Sequence, residues 1–366
     1  AAASAYNSSS VVVQPPEVQP SPGMDVDQVR YWDDNSGEEL LKDLVLLARK
    51  SELQELVRLR VYDKVPIQEC WDATGKPPIG TRWVDVNKGD AEHPEYRSRI
   101  VAQEINMFNS SDLLAGTPPL EAKKILLSVF ASSEMDPRGN PLALDFIDIS
   151  RAYIHADAIR GVYVKLPAED DVPGMCGRLR RAMPGTRDAA QRWERRFSNF
   201  MLECGFDQGK SNPWVFYPVL RCMRAVVHGD DFTILAAEAD LDWFRSKIAD
   251  VLQVKFRARL TRGSSEAVRI LNRIVQVTEG GIEYEADQRH ADLIAKALGL
   301  NKDSKPVSTP GASIKGEGRA SEVKKTESGY RALAARANYL IQDRPDIQYA
   351  TKEVCRTMSS PSEESW

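Results

Sequence analysis

Two apolar stretches that carry carboxylates most constrain what this chain can fold into. The first, LALDFIDIS, contains Asp145 and Asp148, and the second, AVVHGDDFTIL, contains Asp230 and Asp231. Short apolar runs rich in branched and aromatic residues predict buried strands of a sheet. In the second stretch a polar tip separates two apolar runs, and Gly229 permits the positive φ of a tight turn, so we expect a β-hairpin.

Carboxylates that are neighbours at a hairpin tip repel each other unless a cation lies close to them. A third carboxylate from an adjacent strand would complete an oxygen-rich cradle of the kind that Mg²⁺ prefers. The pattern therefore predicts a magnesium site, although adjacent acids also occur in ordinary surface turns. Both Asp145 and Asp148 lie among apolar neighbours, so the stretch by itself does not choose the third ligand.

Composition is that of an ordinary soluble protein of two or three domains, with 366 residues, 42% hydrophobic and 28% charged. The chain has no apolar run of about 18 residues, so we expect no membrane helix, and its N-terminus does not resemble a signal peptide. Its five cysteines are scattered without a CxxC pair, which predicts reduced thiols in an intracellular protein and no zinc site. It contains no dinucleotide-binding or P-loop glycine motif.

The formal net charge of −4 is unfavourable for a nucleic-acid-binding protein, because contacts with phosphates require cations. The distribution of charge matters more than its sum. Two stretches, at residues 178–196 and 255–273, are strongly basic. Each is either a nucleic-acid surface or simply a solvated face, and composition leaves both interpretations open.

The first hundred residues predict a tail, a helix and a hairpin. Residues 1 to about 22 lack periodicity, and a helix with Ser36 as its N-cap is expected to run to about Leu59. Residues 69–81 resemble a loop, and the runs TRWVDV and SRIVAQ on either side of NKGD predict a hairpin. Arg97 and Arg99 would share a strand face, where they would suit a triphosphate or merely discourage strand aggregation.

The remaining chain alternates predicted helices with short strands, which indicates a mixed α+β core. In the first of these helices the apolar stripe is expected to be Ala122, Ile125, Leu126, Val129 and Phe130. Helices are predicted at 121–133, 188–204, 238–252 and 287–298 and as a pair within 330–358, strands at 254–258 and 268–277, and a flexible connection at 301–329.

Several motifs in order resemble copia-type retrotransposon reverse transcriptases: DISRAYIHA, GVYVKLP, AMPGTRDAAQRWERR, VHGDDF, YRALAARANYLIQDRPDIQYA and MSSPSEESW. The resemblance extends from about residue 67 to residue 366. It implies a right-hand polymerase of fingers, palm and thumb, whose mixed palm sheet carries the catalytic hairpin. The implied divisions are a disordered tail (1–36), an N-terminal helix with the fingers (37–140), the palm (141–260) and the thumb or connection (261–366).

The implied function is that of an RNA-directed DNA polymerase of a copia-like retrotransposon. Such an enzyme extends a primer on an RNA or DNA template, consuming deoxynucleoside triphosphates and using two Mg²⁺ ions, with Mn²⁺ as an alternative. The resemblance also implies an intracellular location, in a cytoplasmic particle or the nucleus, with no membrane association. The ribonuclease H and integrase regions are expected outside this chain.

The resemblance assigns roles to individual residues. Asp148 would be the first catalytic aspartate and Asp230 with Asp231 the acidic pair, with the carbonyl of Ile149 beside the metal. The remaining assignments are a triphosphate contact by Arg97 or Arg99, an aromatic under the sugar at Tyr153 (or only a core aromatic), a turn near the template and incoming base at Gly185, and a primer contact at His228.

Three positions depart from the family pattern. His228 replaces an aromatic residue, Met183–Pro184 replaces Leu–Tyr, and the sequence at 271–273 replaces an LGI-like motif. These departures leave a second hypothesis open, a catalytically silent or co-opted remnant that binds nucleic acid. A third hypothesis is another palm-type enzyme, such as a cyclase, that uses a nucleotide without a template.

Overall fold

The computed structural model describes residues 29–90, 92–105, 116–218, 221–305, 326–362 and 365. Its helices, numbered along the chain, are α1 (Lys42–Arg58), α2 (Ile67–Thr74), α3 (Leu120–Ser132), α4 (Ala189–Glu203), α5 (Glu238–Ala249), α6 (Gln288–Ala297), α7 (Glu327–Leu340) and α8 (Gln348–Arg356). Its strands are β1 (Tyr31–Trp32), β2 (Glu39–Leu40), β3 (Tyr62–Pro66), β4 (Thr81–Asn87), β5 (Tyr96–Ala102), β6 (Leu142–Ile149), β7 (Tyr163–Val164), β8 (Met175–Leu179), β9 (Phe206–Gln208), β10 (Val215–Pro218), β11 (Arg224–His228), β12 (Asp231–Ala237), β13 (Val254–Leu260), β14 (Ala267–Ile270), β15 (Arg273–Thr278) and β16 (Gly281–Glu285).

This mixture of helices and separate sheets confirms the expected α+β class. The chain divides into two compact units, Ala1–Gln103 with Val162–Arg178, and Glu104–Gly161 with Leu179–Trp366. The boundaries of tail, fingers, palm and thumb stay predictions. The predicted tail lies largely outside the described residues, as do residues 306–325 of the predicted connection. Within the described part of the chain, no helix is long and apolar enough to cross a membrane.

In the first unit, α1 is fastened to the β4–β5 hairpin through Arg49. The Arg49 guanidinium donates to both carboxylate oxygens of Asp85 on β4, at 2.6 and 3.2 Å, and to Glu169. This two-pronged geometry is what the planar guanidinium favours. The hairpin predicted from the sequence is confirmed, with β4 and β5 antiparallel over seven residue pairs.

Two sequence predictions in the first unit are wrong. The first helix begins at Lys42 rather than after Ser36, because β2 pairs with β1 and buries Leu40 as a strand residue. The segment predicted as a loop, 69–81, contains most of α2, which buries Cys70 and ends at Gly75 with a φ of 63°. The turn-forming residues that follow Gly75 suggested a loop, although the eight residues before it form a short helix of about two turns.

The second unit is built on a six-stranded sheet with the order β13-β6-β12-β11-β10-β9. Every neighbouring pair in it is antiparallel, so the expected mixed sheet is wrong. Strand β6 lies between β12 and β13, which both run antiparallel to it. The strands from β12 to β9 are joined by short connections between neighbours, so each of them also runs antiparallel to the next. The predicted helices are confirmed, with boundaries shifted by a few residues.

The two faces of this sheet carry two separate hydrophobic cores. Along β6, Ala143 and Ile147 face α4 and α5, whereas Leu144 and Phe146 face α3. The α4–α5 side is strongly aromatic, and each such side chain contributes roughly 1.5–3 kcal/mol when buried. Its largest fully buried side chains are Trp193, Phe197, Phe216, Phe232 and Phe244. The fold therefore holds β6 from both sides.

Strand alternation separates the two aspartates of β6. Asp145 faces the α4–α5 side, where it is fully buried and held in ion pairs by Arg245 of α5 and Arg259 of β13. Each arginine contacts both carboxylate oxygens, at 2.6 to 3.0 Å. Asp148 lies on the opposite face. Asp145 is thus committed to holding β13 and α5 against β6.

The C-terminal part differs from expectation in one strand. The predicted strand 268–277 is two strands, β14 and β15, joined at Leu271 and Asn272, which both have positive φ (48° and 63°). Two consecutive positive φ values define a type I′ hairpin turn. Asp343, after α7, receives hydrogen bonds from Arg273 of β15 and Tyr284 of β16 and pairs with Lys124 of α3.

The buried ion cluster around Asp145 is expected to dominate the stability of the second unit. Asp145→Asn removes the buried counter-ion that Arg245 and Arg259 share, so it should lower the free energy of unfolding by about 3–5 kcal/mol. The matched control is Asp242→Asn, because Asp242 also pairs with Arg259 but is 68% exposed, and it should cost less than about 1 kcal/mol. Urea denaturation of both variants checks this; equal losses would contradict it.

Candidate active site

The acidic hairpin is confirmed in the second unit. The strands β11 and β12 pair from Arg224–Leu235 to His228–Asp231, and Gly229 has a φ of 66° at the first turn position. Two hydrogen bonds hold the tip. The Trp193 indole donates to the carbonyl of Gly229 at 2.7 Å, and the Ile149 N–H donates to the carbonyl of Asp230 at 2.9 Å. The tip is therefore fixed to α4 and to the end of β6.

Asp148 and Asp231 are direct cross-strand partners in β6 and β12. Their side chains consequently lie on one face of the sheet, the face covered by α3, and His228 shares it as the partner of Asp231 in β11. Directly opposed residues of an antiparallel pair have Cβ atoms roughly 4.5–5.5 Å apart. The sheet thus brings together Asp148 and Asp231 at its rim, with Asp230 in the adjoining turn.

The electrostatics of this rim are those of carboxylates forced together. Burial raises the pKa of Asp231, and the nearby carboxylates of Asp230 and Asp148 raise it further, against the lowering effect of Lys123 and Arg257. Arg257 of β13 forms an ion pair with Asp148, with Nη2 to Oδ2 at 2.6 Å. Repulsion among the three acids is what a cation between them would relieve.

The donor chemistry fits a hard divalent ion, since Asp148, Asp230 and Asp231 offer only carboxylate oxygens. Within the described ranges, however, no three His, Cys, Asp or Glu side chains are arranged so that they could hold a metal ion together. The Arg257 ion pair accounts for part of this, because it occupies one oxygen of Asp148. Asp148 and Asp231 already lie opposite each other on neighbouring strands, and Asp230 is next to Asp231 in the chain.

Lys123 is a residue that the sequence analysis missed. It lies in α3 on the buried face, and among the described residues its ammonium has no hydrogen-bond partner. Burial lowers its pKa to about 8, although the charges of Asp231 and Asp230 act to raise it. It lines a cavity of about 10 Å³, room for about one water, with Thr233, whose hydroxyl also has no partner within the described chain.

The predicted stripe of α3 is confirmed except at Ile125: Leu126 and Phe130 are buried, and Ala122 and Val129 pack half-buried against the same core. Ile125 is 62% exposed, whereas Lys123, Leu126, Leu127 and Phe130 are buried. The buried face of α3 also has helical spacing, at residues 123, 126, 127 and 130. A prediction from hydrophobicity misses this face, because it does not count a lysine as buried. The nearby acids explain why a lysine is tolerated there.

His228 is neutral at physiological pH. Burial, together with the charges of Lys123 and Arg273, lowers its pKa to about 4. A neutral imidazole adds no charge to the acidic rim and keeps one donor and one acceptor.

Other predicted site residues of the second unit lie on turns. Tyr153 is in a 3-10 turn, Ala152–His155, directly after β6, and is half-buried against both the aromatic core and Ala156. Gly185 has a φ of 87° in a turn closed by the Thr186 N–H on the carbonyl of Met183. Pro then Gly at the central positions matches a type II turn. The side chain of Ile149 is fully buried.

Glu104 fastens the turn at Gly185, and the sequence analysis did not single it out. It accepts hydrogen bonds from the Arg160 guanidinium and from the Arg187 backbone N–H at 2.8–3.0 Å. Burial alone would raise its pKa, but these bonds lower it to about 2. Arg160 also pairs with Asp188, at the start of α4. No local motif signals this network, because its members are far apart in sequence.

Arg97 and Arg99 belong to the first unit. Both are half-buried on one face of β5, and Ser98, Ile100 and Ala102 are buried on the other, so the predicted shared face is confirmed. Their contact with a triphosphate stays a prediction.

Comparison with known proteins agrees with the motifs. A family model described as "Reverse transcriptase (RNA-dependent DNA polymerase)" matches residues 69–262, more than half of the chain. The chain is 25% identical over 316 residues to a retrovirus-related Pol polyprotein from transposon RE1 of Arabidopsis thaliana, covering 80% of this chain and 20% of the relative. It is 22% identical over 345 residues to that from transposon TNT 1-94 of Nicotiana tabacum, covering 89% and 24%.

A search of solved structures found a foamy viral protease-reverse transcriptase in complex with double-stranded DNA. The identity is 9% and the TM-score 0.41, covering 87% of this chain and 43% of that one. The chain spans about a fifth to a quarter of the length of the curated relatives.

The chain belongs to the reverse transcriptase (RNA-dependent DNA polymerase) family, and the copia-type resemblance inferred from its motifs is confirmed. The family is one of nucleotidyltransferases, which confirms the enzyme class expected from the sequence.

Removing one acid of the rim is expected to stabilise the fold. Asp231→Asn relieves repulsion and should raise the free energy of unfolding by about 0.5–2 kcal/mol at pH 7. Because folding raises the pKa of Asp231, the cost of its charge is present above the folded-state pKa and disappears as the pH falls below the unfolded value of 3.8. The advantage of the variant, measured by denaturation, should therefore shrink towards pH 4; a constant advantage would contradict the repulsion.

Lys123→Met is expected to stabilise the fold as well, by about 1–3 kcal/mol at pH 7, because it removes a buried charge. Folding lowers the pKa of Lys123 from 10.5 to about 8, so the cost is fully present below pH 8 and fades as the pH rises to 10.5. Thermal unfolding at pH 7 and pH 10 measures the difference. Lys124→Met, which removes a partly exposed lysine, is the control and should not gain stability.

Proposed function

We propose that this chain is the polymerase domain of a copia-like retrotransposon, which extends a primer on an RNA or DNA template from deoxynucleoside triphosphates. The observation that carries the proposal is the cross-strand pairing of Asp148 with Asp231, beside Asp230 in the hairpin turn. In this proposal the three carboxylates hold two Mg²⁺ ions, or Mn²⁺, with the carbonyl of Ile149 beside one of them. Bound ions of this kind activate the attacking hydroxyl and neutralise the triphosphate.

The residues around the rim then have complementary roles. The hydrogen bonds from Trp193 and Ile149 to the hairpin tip keep its carboxylates in place during catalysis. His228, uncharged at pH 7, contacts the primer end without adding a positive charge that would repel the metal ions. Tyr153 lies under the sugar, and the backbone at Gly185 admits the template and the incoming base, because glycine leaves room for close approach.

Arg97 or Arg99 binds the triphosphate in this proposal. Their position on the half-buried face of β5 supports it, because β5 is stiffened by its full pairing with β4. A planar guanidinium binds phosphate oxygens in a two-pronged manner, which suits a polyphosphate better than a single charge does.

In this proposal the first basic stretch contributes only part of its cations to binding the nucleic acid. In the first stretch Arg178, Arg181, Arg187 and Arg192 are already held in ion pairs. One candidate is a face of α8, where Tyr349 and Lys352 line a cavity of about 620 Å³ together with Arg356, which is 69% exposed although it pairs with Glu353. An aromatic ring with cations at helical spacing suits base stacking and phosphate binding together.

Primer extension tests the function. The chain is expected to extend oligo(dT) on poly(rA) with Mg²⁺, and Asp230→Asn should reduce the rate by at least about 100-fold. The control is Asp207→Asn, which removes an exposed acid from β9 of the same sheet and should leave the rate unchanged.

The second candidate function is a silent nucleic-acid-binding domain. The ion pair that Arg257 makes with Asp148 favours it, since this pair occupies a carboxylate that catalysis requires. No extension by the wild-type chain, with salt-dependent binding of the primer–template duplex retained, would replace the polymerase proposal with this one. Nucleotide turnover without any template would instead indicate a cyclase-like enzyme.

A further inference from the structure

An irregularity in β13 sends two arginines to opposite faces of the sheet. Arg257 and Arg259 are two residues apart, so in a regular strand their side chains would share a face. The register of β13 against β6 shifts between Phe256 and Ala258, which makes Arg257 the extra residue of a β-bulge. As a result Arg259 binds Asp145 on the α5 side, while Arg257 binds Asp148 on the α3 side.

The two ion pairs differ in how firmly they are held. Arg259 is 17% exposed, and its partner Asp145 is fully buried and shared with a second arginine. Arg257 is 50% exposed and reaches Asp148 through a single hydrogen bond. A pair whose guanidinium stays half in solvent separates more readily than one whose carboxylate is fully buried and bonded twice by each of two arginines.

We propose that Arg257 is an internal counter-ion of the metal site, bound to Asp148 when no divalent ion is present and displaced from it when one binds. The inference rests on the proposed function, because it takes Asp148 as a metal ligand. A guanidinium and a divalent cation at the same carboxylate oxygen repel each other, so the two compete. The bulge places the guanidinium of Arg257 against Asp148, where it stabilises the acidic rim in the absence of a metal ion. Because Arg257 is half exposed, its side chain can move into solvent when a metal ion binds.

Neighbouring cations do not fill this role. Lys255 lies on β13, as Arg257 does, and is directly opposite Asp148 of β6. Its side chain is exposed, however, and the carboxylate is bound by Arg257 instead. Lys123 approaches the rim from α3 but is buried and cannot move away from it. Among the described cations near the rim, the bulge residue Arg257 combines direct contact with Asp148 and a half-exposed side chain that can withdraw.

The test is Mn²⁺ binding to the full chain without nucleic acid or nucleotide, measured by electron paramagnetic resonance of free Mn²⁺, with Mg²⁺ added as a competitor. Arg257→Gln removes the competing cation and should bind Mn²⁺ about two- to fivefold more tightly, the range expected for loss of a half-exposed ion pair. Lys255→Gln removes the same charge from the same strand without touching the pair, and its affinity should change much less. Arg257→Lys keeps a cation and should stay close to wild type.

The outcomes separate this inference from the proposed function. Unchanged or weaker Mn²⁺ binding by Arg257→Gln, or an equal gain in Lys255→Gln, would overturn the counter-ion role and leave the polymerase proposal standing. Tighter binding confined to Arg257→Gln supports the role even if primer extension fails. Should Arg257→Gln not fold, Arg257→Lys decides: affinity clearly different from wild type overturns the inference. Absence of Mn²⁺ binding by the wild-type chain overturns it together with the metal assignment.

Discussion

The register of β6 against β12 is the constraint on which the rest of the site depends. It makes Asp148 and Asp231 direct partners, and a slip of one residue would move one of them to the opposite face of the sheet. The two hydrophobic cores specify this register. The apolar residues of β6 and β12 pack into the aromatic core on one face of the sheet and against α3 on the other, so a shifted register would expose them. The hydrophobic cores thereby hold together carboxylates that repel each other.

The same sheet handles its buried charge differently on its two faces. On the α5 side, Asp145 is neutralised permanently by two arginines, and the result is structural. On the α3 side, the acids are balanced only in part, by the buried ammonium of Lys123 and the half-exposed guanidinium of Arg257. A face that is incompletely neutralised is costly for stability but available to an external cation, which is what the proposed function requires of Asp148.

The network around Glu104 extends the same principle to the turn at Gly185. The Glu104 carboxylate is held by Arg160, Arg187 and the Arg187 backbone N–H, and these bonds make the turn rigid. They hold the turn in the conformation in which Gly185 has a positive φ. Binding sites built on turns need such support, because a turn has few packing contacts of its own. The rim and the turn are therefore both set by charge pairs between distant segments.

The sequence by itself determined the hairpin and its acids, the helices of the second unit and the family. These features depend on local periodicity, on the glycine of a two-residue turn and on motifs with fixed spacing. Only the tertiary structure showed that Asp145 is paired with two arginines on one face while Asp148 lies on the other, that Lys123 is buried and Ile125 is exposed, and that β13 has a bulge at Arg257. The physical reason is that each of these depends on which residue lies opposite in space. An aspartate is structural or reactive according to its partners, and the apolar pattern along one strand or helix carries no information about them.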